Sequence, residues 1–146
     1  MNKQEIINII KAKAADKIQY FENLIAETRA SNNDTKSSMG DKYETGREML
    51  QQEINNLQRQ LNEVLNQQAV LQKITSDPSE KVQNGALVKT NKGMFFISVS
   101  MGEFVFENRK IMTVSEESPL VKAMFGKKMG DNFTINNINQ DIEDIW

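Results

Sequence analysis

The 146-residue chain has no cysteine and no histidine, which removes disulfides, thiolate metal sites, and both Ser-His-Asp and Cys-His catalysis. Its net charge is −2; up to residue 84 there are 11 basic and 12 acidic residues, beyond it 7 and 8, so neither half forms the basic block that phosphate neutralisation needs. No apolar run approaches the roughly 18 residues of a membrane span, and the first residues lack the basic start and apolar core of a signal peptide. The expected setting is cytoplasmic, with no membrane partner and no direct sequence-specific contact with nucleic acid.

Residues 2–31 carry Ile6, Ile10, Ala14, Ile18, Phe21, Ile25 and Thr28 at spacings of three and four, one stripe of a long helix with no Gly or Pro to interrupt it. Ile7 and Ile9 widen the stripe in its first turns. Residues 31–42 are rich in Ser, Asn and Asp, whose short side chains compete with the helix for backbone hydrogen bonds, and this predicts a loop. A second helix is predicted over 43–75 by Tyr43, Arg47, Leu50, Ile54, Leu57, Leu61, Val64, Gln68 and Leu71, a heptad pattern with polar interruptions. Neither helix can bury its stripe alone, and a short connection favours an antiparallel hairpin.

Thr75-Ser76-Asp77-Pro78-Ser79-Glu80 ends the helical pattern, and a strand period replaces it. Ala86–Thr90 and Met94–Val99 flank Asn91-Lys92-Gly93 as a hairpin. Strands are also expected at Glu103–Phe106, Lys110–Val114, Asn132–Ile135 and within Ile138–Trp146. Met94, Phe95, Phe96, Phe104 and Phe106, at strand spacing, read as core rather than as a ligand pocket. The chain therefore divides into a coiled-coil hairpin (1–76), a linker (77–84) and a small domain of antiparallel strands with one short helix (85–146): an α+β protein.

That short helix is fully punctuated. Ser118 suits the N-cap, Pro119 the first helical position, and Gly126 the left-handed position after the last turn; Leu120, Ala123 and Met124 fall on one face. Lys127-Lys128 sits where a helix C-terminus favours positive charge, or where an acidic partner could bind. At the predicted hairpin tip, Asp34, Asp41 and Glu44 could offer oxygen ligands to a hard cation; alternatively Asp41 caps the second helix with Glu44 bonding back to it. Gly46 reads either as a close-approach position or as a loose first turn. Trp146 reads either as a core plug or as an exposed contact.

Ser-Pro-Leu-x-Lys-Ala-x-x-Gly-Lys-Lys-x-Gly-Asp, residues 118–131, resembles the signature of the C-terminal domain of the Gre transcript-cleavage factor family (GreA and GreB). The order of rod and small domain is similar to that family as well. The resemblance implies an FKBP-like C-terminal domain that docks on RNA polymerase, with Ser115, Ser118 and Pro119 on the docking surface, and a coiled coil that enters the secondary channel. It implies a monomeric binding protein, not an enzyme, with no cofactor of its own: Mg²⁺ would matter only if the tip acted in the polymerase active site. Aligned on Tyr43, the family's tip loop falls on residues 35–43. Ser38 is kept, but Lys36 and Met39 stand where the family carries its key acids, so the resemblance does not carry cleavage stimulation to this tip. The other readings are a coiled-coil scaffold with no polymerase link and, from the FKBP-like fold alone, a prolyl isomerase.

Overall fold

The computed structural model describes residues 1–38 and 44–146, the side chains of 32–38 and 44–45 excepted. It shows an α+β protein in which a helical hairpin precedes a mostly antiparallel six-stranded sheet. Helix α1 spans Lys3–Ser38 and α2 spans Glu44–Gln72. The predicted stripe of α1 is the buried one: Ile6, Ile10, Ala14, Ile25 and Thr28 are buried, with Ile18 and Phe21 partly so.

The loop expected at 31–42 is corrected over 31–38, where α1 continues to Ser38; residues 39–42 of that loop lie outside the described residues. Once nucleated, a helix gains one hydrogen bond for each residue it adds, and the modest propensity penalty of Ser and Asn does not stop it. Helix α2 ends three residues before the predicted 75. There Lys73 N–H bonds the Val70 carbonyl at 3.1 Å and Ile74 N–H that of Leu71 at 3.2 Å, a tightened last turn.

The chain forms two compact units, Lys11–Ala69 and Met1–Ile10 together with Val70–Trp146. In the first, Ile25, Ile54, Leu57 and Leu61 make a buried cluster, with Ile18, Phe21 and Leu24 packed against it. Apart from Leu24, these are residues of the two predicted stripes, packed together. Outside the cluster, side-chain amides link neighbouring turns, as in Gln51 to Asn55 and Gln58 to Asn62, each at 3.1 Å.

In the second unit the strands are β1 (Leu87–Thr90), β2 (Gly93–Ser98), β3 (Glu103–Phe106), β4 (Arg109–Ser115), β5 (Asn132–Ile135) and β6 (Ile138–Ile145), in the spatial order β3-β4-β2-β1-β6-β5. The expected β1–β2 hairpin forms, with Leu87 opposite Phe96 and Thr90 opposite Gly93; the turn is Asn91-Lys92 alone, and Gly93, expected in the connection, opens β2. The expectation of antiparallel strands needs one correction: β2 and β4 pair in parallel, Met94 beside Ile111 and Ser98 beside Ser115. Because β3 lies outside β4, the chain must cross over before β4 returns into the gap beside β2. The type I′ turns of β3–β4 and β5–β6 hold Glu107 and Asn108 at φ 51° and 63°, and Asn136 and Asn137 at 52° and 64°.

Helix α3 (Pro119–Met124) lies between β4 and β5 in sequence. On one sheet face Val88, Phe95, Ile97, Val114, Phe133 and Ile142 form a core with Val121 and Met124 of α3. On the opposite face Leu87, Met94, Phe96, Phe104, Phe106 and Ile111 are also buried, so the aromatic residues are core. Ile6, Ile7, Ile10 and Leu71, essentially sealed from solvent, belong to the same unit. A small sheet buried on both faces needs apolar cover beyond one short helix, and the ends of the long helices supply such residues.

Candidate functional site: the α3 turn and the hairpin tip

The three residues assigned to docking come together in one turn. Ser115 closes β4, and its carbonyl accepts from Ser118 N–H at 3.1 Å. Ser118 has the extended backbone of an N-cap, φ −67° and ψ 148°, and its Oγ accepts from Val121 N–H at 3.3 Å. Pro119 stands at the first helical position, exposed, with Glu116 and Glu117 exposed just before it. Ser118 is half-buried. Its hydroxyl therefore already has a structural task, whereas Pro119 offers its ring to solvent.

The buried face of α3 differs from the one predicted. Val121 and Met124 are its buried residues, while Leu120 and Ala123 pack at the margin of the core. Val121 was missed because a two-turn helix is too short for its spacing to define a face uniquely. The other end of α3 behaves as its glycines suggest: Phe125 is the C-cap and Gly126 takes φ 80°.

A segment that carried no sequence signal locks this end. Val82 accepts from Gly126 N–H and donates to the Lys127 carbonyl, both at 2.8 Å, and Lys81 pairs with Lys128 in an isolated antiparallel bridge. Asp131 Oδ2 accepts from Lys128 N–H at 2.8 Å, and Gly130 N–H bonds the Ile142 carbonyl at 2.9 Å. Most of the Gly-Lys-Lys-x-Gly-Asp run thus ties the helix to the sheet. Exposed within that rigid segment are Phe125 (54 %) and Met129 (63 %).

Elsewhere in the sheet unit, Lys3 is buried, and its Nζ donates to the Asp77 carbonyl at 2.7 Å. Burial lowers its pKa from the ordinary value, with the Asp77 charge opposing that shift. Trp146 is half-buried and exchanges two backbone hydrogen bonds with Leu87, so its main chain extends the sheet.

Of the tip residues, Asp34 and Ser38 belong to the last turns of α1 and Glu44 opens α2. Asp41 lies outside the described residues. Among the described residues no group of three acidic, histidine or cysteine side chains is placed to hold a metal ion. Nor, among them, is any helix long and apolar enough to cross a membrane.

No protein-family model matches the chain, and no curated protein matches it. Among solved structures, the crystal structure of GreA factor homolog 1 (Gfh1) protein of Thermus thermophilus is similar at 15 % identity, covering 93 % of this chain and 94 % of that one, with a TM-score of 0.39. A structure described as the transcription factor Gfh1 is similar at 14 % identity, covering 91 % and 89 %, with a TM-score of 0.38.

Proposed function

We propose that this protein is an RNA polymerase-binding regulator of transcription elongation. In this reading it docks through the turn at Ser115, Ser118 and Pro119 and reaches into the polymerase secondary channel with its helical hairpin. The observation that carries the reading is the Ser118–Asp131 signature, which here forms a rigid, capped helix with Pro119 exposed, in a sheet domain that follows a long hairpin. The protein acts by binding, as a monomer and without a cofactor of its own. Lys36 and Met39 cannot replace carboxylates as ligands for a hard cation, so no step is derived through a metal.

The test is association of the purified protein with core RNA polymerase from the same organism. Ser118 must be handled with care, because Ser118→Ala also removes the cap. Ser115→Ala with Pro119→Ala alters the exposed turn and leaves the cap in place. A loss of binding of tenfold or more in that double variant is expected; unchanged binding would overturn the docking assignment. In stalled, backtracked complexes the wild type should not stimulate RNA cleavage, and strong stimulation that depends on Asp41 would return a metal role to the tip.

A further inference from the structure

The polymerase-facing turn lies at the N-terminal end of α3, yet the more unusual surface lies at the C-terminal end. Phe125 and Met129 are more than half exposed, although every residue around them is held by backbone hydrogen bonds. Aromatic residues and Met are enriched where proteins meet, and a contact presented on a rigid frame loses little conformational entropy on binding.

Four lysines accompany these two side chains. Lys81, Lys122, Lys127 and Lys128 lie in or beside this segment; its acids are Glu80 and Asp131, with Asp141 and Glu143 flanking Ile142 on the neighbouring strand, and Glu143 is already paired with Lys89. The Asp131 carboxylate is already engaged with Lys128 N–H. Among the described residues, none of these four lysines takes part in an ion pair. The Lys81–Lys128 bridge sets two like charges directly opposite each other, which costs stability unless something negative binds there. Both line a cleft of about 460 Å³ with Pro78, Glu80 and Gln83. The exposed Glu116 and Glu117 lie at the other end of α3.

We infer that Phe125 and Met129, together with the adjoining Lys81–Lys128 pair, form a second half of the docking surface, and that its occupant is an acidic protein segment carrying apolar side chains. This rests on the polymerase reading above and names the chemistry of the polymerase segment that would bind. Carboxylates would reach the lysine pair while an apolar side chain covers Phe125 and Met129, with the charges mainly steering the approach.

Two variants test it: Phe125→Ser with Met129→Thr, and Lys81→Glu with Lys128→Glu. All four positions are on the surface, and circular dichroism checks that the fold is kept. Both variants should bind core polymerase at least tenfold more weakly. The charge-reversed one should also lose most of the salt dependence of the wild type. Wild-type affinity in both variants, with Ser115→Ala/Pro119→Ala still defective, would overturn this inference and leave the docking assignment standing. If the wild type does not bind polymerase at all, the polymerase reading falls and a second arm decides on the surface. A synthetic peptide of alternating glutamate and leucine is titrated into the labelled protein and followed by amide NMR shifts. Shifts confined to residue 81 and to 122–130 support the surface; no shifts, or shifts elsewhere, overturn it.

Discussion

Ser118, a residue of the proposed docking turn, has a structural task of its own. Its Oγ satisfies a backbone N–H in the first turn of α3, so Ser118→Ala should lower unfolding stability by about 1 kcal/mol in chemical denaturation. Ser118→Asp, which keeps an oxygen acceptor, should retain most of it. Lys3 gives a pH-dependent prediction. Burial lowers its pKa in the folded state, so between that value and the ordinary 10.5 the unfolded chain holds more protons than the folded one. The folded state therefore bears the full burial penalty at neutral pH, and the contribution of Lys3 to stability should rise as pH approaches 10.5. Comparing urea denaturation of wild type and Lys3→Met across that range checks this, since the variant should lack the rise. Neither effect was legible in the sequence for Lys3, because a lysine near a chain start reads as solvated until its neighbours are known.

At the scale of elements, the two hairpin turns built on positive φ are the informative ones. Asn136-Asn137 suits that geometry, and so does Asn108, but Glu107 at φ 51° carries a side chain that disfavours it. Glu107→Asn should raise stability by about 1 kcal/mol, read as a higher melting temperature with unchanged β-sheet signal. Helix α1 teaches the opposite lesson about local preference. Its polar end, 31–38, reads as loop by composition, yet the backbone stays helical to Ser38. Propensity differences of a few tenths of a kcal/mol per residue lose to a helix that is already formed.

At the scale of the molecule, the boundary between rod and sheet domain is the feature with the largest consequences. The compact unit that holds the sheet includes Met1–Ile10 and Val70–Trp146, and Ile6, Ile7, Ile10, Leu71 and Ile74 are buried. Each such side chain is worth about 1.5–3 kcal/mol of burial, and a domain has only about 5–15 kcal/mol in hand. A fragment of residues 77–146, cut where the sequence pattern changes from helical to strand period, should therefore lack a cooperative thermal transition. Joining residues 1–10 and 70–76 back to it through the hairpin should restore one, and calorimetry of the fragment and the full chain distinguishes the two states.

The sequence by itself determined the two helical stripes, the six strands, the aromatic core and the caps of α3, because each depends on spacing or on a residue's own backbone preferences. Only the tertiary structure decided the parallel pairing of β2 with β4, the burial of Val121, the clamp of Val82 on Gly126 and Lys127, and the exposure of Phe125 and Met129. Those features depend on which segments meet across long stretches of chain, and no local period records them. The same division runs through function. The Ser118–Asp131 run, on which the proposed docking rests, is legible in one dimension, while the proposed surface at its far end depends on the fold that brings Lys81 opposite Lys128.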